Sequence, residues 1–171
     1  MASRPDIVIR ALRGSDDGDI AIVARRMRET LVEVLGAARG EAMYDLVWLE
    51  QRVRWHLDPA AVTAAVFVAD DASGDVLGHT IVRVEAEADG DVGLFSTTYV
   101  DPANRNRAVA ARLLEVGESW MRTQGMTLAS TYTDPQNAKL INLFQKRGYR
   151  LDPVNDEFVR LSRELEPTRT P

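Results

Sequence analysis

The apolar period of this chain changes twice, and that alternation restricts its fold more than any other feature. Ile20, Val23, Met27, Leu31, Val34 and Leu35 recur at three- and four-residue spacing, which places one apolar stripe on a helix ending near Gly36. A second helix is predicted from about Glu41 to Leu57, with Met43, Leu46, Val47, Val53 and Leu57 on one side and Asp58-Pro59 ending it. The period then shortens. Ala64 to Ala69, Val76 to Glu85 and Val92 to Val100 are apolar, β-branched runs separated by the polar turns 70–75 and 87–91, so three antiparallel strands in succession are expected. After Asp101-Pro102 helical spacing returns through Val109, Leu113, Leu114, Trp120 and Met121, closed by Gln124-Gly125. Leu128 to Thr133 reads as a strand, Asn137 to Arg147 as a short helix closed by Gly148, and Tyr149 to Leu165 as two strands split near Asn155-Asp156. With Ile7 to Leu12 as an opening strand, the order is β-α-α-β-β-β-α-β-α-β-β, an α+β (mixed α/β) single domain with a mostly antiparallel sheet flanked by helices. Residues 1–166 form the expected domain and 167–171 a flexible C-terminal tail.

Composition removes several function classes. The 171 residues, 45% of them hydrophobic, suffice for one packed core. Lys and Arg number 21 against 26 Asp and Glu, a net charge of −5, so a broad phosphate-neutralising face for nucleic acid is not expected. Cysteine is absent, which excludes disulfides, thiolate metal sites and cysteine nucleophiles together. The only histidines, His56 and His79, fall in different predicted elements, and no metal is expected. No apolar run reaches the roughly 18 to 20 residues of a membrane span, and Met1 to Asp6 lacks the apolar core of a signal peptide. A soluble cytoplasmic protein with no membrane partner is the expected class.

The segment from Thr98 to Leu114 carries the clearest chemistry. It is a strand, a tight basic loop and a helix start with small residues in the first turn. Open backbone N–H groups and the helix dipole favour an anion there. Small side chains at Ala108, Ala110 and Ala111 let a phosphate approach the backbone, and Arg105 and Arg107 add two positive charges, a combination suited to a pyrophosphate. The other reading of the same residues is two solvated loop arginines before a run of good helix formers.

A second segment, Asp134 to Tyr149, begins on a loop after a strand, puts Asn137 near a helix cap and ends Gly-aromatic. With both segments in register, the chain resembles the GNAT superfamily of acyl-CoA-dependent N-acyltransferases. The family's pyrophosphate motif, Arg/Gln-x-x-Gly-x-Gly/Ala after a strand ending Val-x-Pro, is matched by Val100, Pro102, Arg105, Ala108 and Ala110. Its second motif is matched by Asn137, Ala138, Phe144, Gly148 and Tyr149. The specific residues lie between Val100 and Tyr149, while the order of elements extends the likeness over nearly the whole chain.

The resemblance implies acetyl-CoA as cosubstrate and direct attack of a primary amine, on a small molecule or a peptide, upon the thioester. The implied cofactor-binding set is Thr98, Tyr99, Val100, Arg105, Asn106, Arg107, Ala108, Val109, Ala110, Ala111, Asn137 and Phe144. Backbone groups of Thr98, Tyr99 and Val100 would bond the pantetheine arm, and an N–H there could polarise the carbonyl. Two residues depart from the pattern. Ala108 replaces the first loop glycine, and Phe144 stands where many relatives have a tyrosine that protonates the departing thiolate. A GNAT-fold CoA-binding module without transferase activity is therefore the alternative. Phe and Tyr being similar in shape, Phe144→Tyr is expected to leave the fold intact.

Three residues are candidates for handling the amine's proton: Glu85 and His79, which share a strand face by even spacing, and Tyr132, near the end of the strand before the second motif. Each has a plainer reading, as a hairpin surface charge, a half-buried sheet residue and core packing respectively. Tyr44, Trp48 and Trp55 recur along one helix face and could line an acceptor pocket for an apolar or cationic amine, Tyr44 and Trp48 being the candidate substrate-binding residues, or could simply pack. Glu87, Asp89 and Asp91 could attract a cationic acceptor or form a solvated turn. Oligomeric state is open, a homodimer included.

Overall fold

The computed structural model describes residues 6–104 and 108–167. Along the chain come β1 (Val8–Ala11), α1 (Asp17–Leu35), α2 (Ala37–Met43), α3 (Leu46–His56), β2 (Ala64–Asp70), β3 (Val76–Glu87), β4 (Gly90–Val100), α4 (Val109–Thr123), β5 (Leu128–Thr133), α5 (Ala138–Lys146), β6 (Arg150–Pro153) and β7 (Val159–Glu164). The seven strands form one sheet in the order β1-β2-β3-β4-β5-β7-β6, antiparallel except for the central β4–β5 pair. The expected single α+β domain, a mixed sheet with helices on its faces, is the architecture observed.

Strand alternation sorts the core into two layers. Val66 and Val68 of β2 and Ile81 of β3 pack under α1 and α3, against Ile20, Val23, Ala24, Leu49 and Val53. On the opposite face Val82, Phe95, Ala129 and Leu161 meet Leu114, Met121 and Phe144 of α4 and α5. α4 lies very close to the sheet at Gly117, where an added Cβ would stand 2.4 Å from the Phe95 ring. Glu118, one residue on, is buried and tied to Arg147 (2.8 Å), to the Tyr149 hydroxyl (2.9 Å) and, more loosely, to Arg163 (3.5 Å). That paired carboxylate fastens α4 to the end of α5 and to β7.

The second expected helix is divided in two. Tyr44 is extended (φ −144, ψ 139), and the Asp45 side chain accepts from the Trp48 N–H at 2.7 Å, capping a new helix. A short carboxylate offering this local bond competes with continued helix, so the chain breaks at 44–45 instead of running from Glu41 to Leu57. The expected apolar face changes with it: Leu49, Val53 and His56 are buried, whereas Met43, Leu46 and Val47 are exposed. Gly36, at φ +87, makes the preceding corner between α1 and α2. Only the first half of α1 is buried on the sheet; its second half runs on as one wall of a cleft. No described helix is long and apolar enough to cross a membrane. Of the expected tail, 168–171 lie outside the described residues.

Candidate active site

The site begins with an interruption of strand pairing. β4 and β5 pair only from Gly93–Ala129 to Phe95–Thr131, and the Thr131 hydroxyl donates to the Phe95 carbonyl at 2.9 Å. Ser96 is then an extra residue on β4, because Ile81 faces Thr97 while Val82 faces Phe95. Beyond this bulge β4 continues along β3 as far as Val100, while Tyr132 and Thr133 of β5 pair only with β7. The two central strands thus diverge, and the β4 backbone groups that would have met β5 face an opening.

A cleft of about 630 Å³ occupies that opening. Thr98, Tyr99 and Val100 form its β4 wall, Ala110 its α4 wall, Asn137 and Lys139 belong to the α5 side, and Thr30 and Glu33 to α1. Lys139 and Glu33 pair across it at 2.9 Å. Asn137 caps α5, accepting from the Leu140 N–H at 3.4 Å and donating to the Thr133 hydroxyl at 3.0 Å. At the start of α4, Ala108 takes a left-handed conformation (φ 59, ψ 18) and gives no side-chain cap of its own, and the first-turn amides around Val109, Ala110 and Ala111 carry the helix's positive end. Arg105, Asn106 and Arg107 lie outside the described residues.

The remaining candidates are distributed unequally around the opening. Phe144 is fully buried, its ring edge-to-face with Phe95 and Tyr149, and does not line the cleft. The Tyr99 hydroxyl turns to α1, donating to Glu29 (3.0 Å) and accepting from Arg26 (3.3 Å), while burial pushes it above the ordinary phenol range. His79 is fully enclosed beneath α1, with Nε2 2.7 Å from the Thr97 hydroxyl and its ring stacked on Tyr99. Burial, then Arg26, lowers its pKa to about 3. A neutral imidazole in that position is a sheet residue that does not line the cleft.

On the face beneath α1 and α3, two polar groups border the divergence. Arg83 donates through Nε to Glu85 (2.8 Å) and through Nη1 to the Ser96 hydroxyl (3.1 Å) and to His56 Nε2 (3.1 Å). Arginine only donates, so His56 accepts at Nε2 and carries its proton on Nδ1, which reaches the Arg52 carbonyl at 2.8 Å. Burial first, then Arg83 and Arg52, takes the His56 pKa down to about 4. Farther along, the half-exposed Tyr132 donates to Glu87 (2.9 Å), which also holds Arg160 (2.9 Å). Burial and then Glu87 raise the Tyr132 pKa. Tyr44 and Trp48 stack at 4.2 Å, both partly exposed. Sequence reading passed over Arg83, Ser96, His56 and Arg52, because their association is made by strand pairing and helix packing and leaves no local spacing to find.

A mixed sheet parted at its centre, with a helix start beside the opening, is the architecture of a coenzyme-A-dependent acyltransferase fold, and comparison supports that class. The family model for the Acetyltransferase (GNAT) family matches residues 24–149, and the chain belongs to this family. Its fold resembles the PaiA N-acetyltransferase from Thermoplasma acidophilum in complex with coenzyme A (16% identity, 93% of this chain and 99% of that one, TM-score 0.66). It also resembles Ard1 from Thermoplasma volcanium (18% identity, 94% and 98%, TM-score 0.67) and an acetyltransferase of the GNAT family from Streptococcus pneumoniae (14% identity, 94% and 100%, TM-score 0.69). No curated protein matches it in sequence.

Proposed function

We propose that this protein transfers an acetyl group from acetyl-CoA to a primary amine by direct attack. The observation that carries the reading is the parting of β4 from β5 at Ser96, which opens strand backbone onto a cleft bordered by the start of α4. A narrow pantetheine-like arm can substitute for the missing strand there, bonding to the β4 backbone between Thr98 and Val100. The diphosphate then meets the α4 amides and dipole, with Arg105 and Arg107 as the cations beside it. A backbone N–H at the β4 bulge polarises the thioester carbonyl, and holding the amine against it supplies most of the acceleration. Tyr132, hydrogen-bonded to Glu87, and Glu85, bonded to Arg83, are the candidates for moving the amine's proton. Phe144 supplies no hydroxyl for the leaving thiolate, which keeps a CoA-binding module without transferase activity as the second reading.

Calorimetric titration with acetyl-CoA, followed by thiol release over an amine panel, tests the proposal. Binding with amine-dependent release is the expected result; binding without release favours the second reading, and absence of binding overturns both. Arg105→Ala is expected to weaken acetyl-CoA by a charge-assisted contact of about 1.5–3 kcal/mol, roughly ten- to a hundredfold.

A further inference from the structure

Because α3 starts afresh at the Asp45 cap, Trp48, Arg52 and Trp55 fall four and three residues apart along one flank, and Tyr44 is left outside the helix with its ring on Trp48. The Arg52 guanidinium lies 4.2 Å from the centre of the Trp55 indole, and Arg83 reaches the same ring from β3 at 5.9 Å. Arg83 has a carboxylate partner in Glu85 at 2.8 Å. Among the described residues, no carboxylate stands within ion-pair distance of Arg52, and its guanidinium has no hydrogen-bond acceptor. Two guanidinium groups beside one carboxylate and a neutral His56 leave one positive charge unanswered. Burial first, then the neighbouring Arg83, disfavour the charge on Arg52, and Glu85 and Tyr44 offset them only in part. An arginine does not respond by losing its proton. A planar cation half-sunk on an indole, with its donors unused, is a site for an anion.

The position of this cation ties it to the reaction. Arg83 donates to the hydroxyl of Ser96, the bulge residue immediately past the last β4–β5 pair. Arg52 therefore sits one arginine away from the point where a thioester threaded between the strands would emerge. The stacked rings of Tyr44 and Trp48, 39% and 42% exposed, offer an aromatic plate on the same helix flank.

We propose that Arg52 binds a carboxylate on the acceptor, so that the amine substrate is a small molecule carrying both a carboxylate and an apolar or aromatic body. This inference rests on the acetyl-transfer reading above. The carboxylate takes the open donors of Arg52, the body lies on the Tyr44–Trp48 plate, and the amine is directed toward Ser96. The positive charge at Arg52 is answered only when that carboxylate binds. The same charge disfavours polyamines and other purely cationic acceptors. The acidic hairpin, the other candidate for attracting them, is partly spent, since Glu87 is held by Tyr132 and Arg160.

Matched pairs of carboxylates and carboxamides test this: phenylalanine against phenylalaninamide, and 6-aminohexanoate against 6-aminohexanamide. In the wild-type protein the carboxylate member of a pair that is turned over is expected to be favoured about tenfold or more in kcat/KM, mostly through KM. Arg52→Gln should bring that ratio close to one while leaving acetyl-CoA affinity unchanged, and Arg52→Lys should restore part of it. A carboxamide used as well as its carboxylate, or a preference that survives in Arg52→Gln, overturns the proposal. Direct binding of N-acetylphenylalanine and its amide, read by tryptophan fluorescence from Trp48 and Trp55, gives a second readout that needs no turnover. Equal affinity of the acid and the amide there also overturns it. Loss of acetyl-CoA binding in calorimetry would instead refute the transferase reading, so the two failures are distinguishable.

Discussion

Replacing Phe144 by tyrosine installs a ring hydroxyl, and the surroundings of the ring set what it does here. Phe144 is 0% exposed, edge-to-face with Phe95 at 5.4 Å and with Tyr149 at 4.8 Å, inside the layer that joins α4 and α5 to the sheet. Glu118, the nearby acceptor, is already engaged by Arg147, Tyr149 and Arg163. The new oxygen therefore meets two costs. An unpartnered buried hydroxyl costs about 1–3 kcal/mol in protein mutational data, and an extra heavy atom in a filled core about 1–3 kcal/mol more. Together they make about 2–6 kcal/mol, which for a domain of this size lowers the melting temperature by roughly 4 to 24 °C. Similarity of shape alone predicted an undisturbed fold; the enclosure of the ring reverses that expectation. The assay is thermal unfolding by circular dichroism alongside thiol release from acetyl-CoA, with a clear loss of stability and no gain in rate expected. An unchanged melting temperature combined with faster release would refute the reasoning, because it would show that the ring edge opens into the cleft.

Ala108→Gly should stabilise the protein modestly, by up to about 1.5 kcal/mol. It relieves roughly 1–2 kcal/mol of left-handed strain at φ 59 and returns about 0.4–1 kcal/mol through the greater freedom of the unfolded chain. A fall in melting temperature would count against that conformation. The two histidines make stability depend on acidity. Their folded pKa values, about 4 for His56 and about 3 for His79, lie below the ordinary value of 6.5, so the unfolded chain binds more protons as pH falls. Their contribution is complete above pH 6.5 and is lost on acidification through the interval down to the folded values, on the order of 2 kcal/mol each by pH 5. Urea unfolding at pH 7 and pH 5 measures it, and a His79→Asn variant losing stability as steeply as the wild type would contradict it.

Much of the fold was readable because its signals are short-ranged. β5 spans Leu128–Thr133 as expected, and Gly36 ends α1 where the apolar stripe stops. The likeness around Val100 to Tyr149 led to the right family, and Asn137 takes the cap position its place before a helix suggests. The break at Tyr44–Asp45 was missed although its cause is local: a single aspartate competed successfully with an apolar pattern that continued across it. His79, Glu85 and Tyr132 were readable as polar residues on strands. What surrounds them was not, and it separates the three. His79 is enclosed, Glu85 is held by Arg83, and Tyr132 is bonded to Glu87.

Residues within one helical turn or one hairpin of each other determined the elements, their caps and the small-residue helix start that identifies the family, since the forces involved act over a few positions and mark the local pattern. Tertiary structure alone decided where β4 leaves β5, that β7 lies between β5 and β6, and that Arg52 and Arg83 converge on one indole. Those outcomes come from packing and hydrogen bonding between segments far apart in the chain. Side chains brought together in that way acquire their chemistry from neighbours that no local spacing announces.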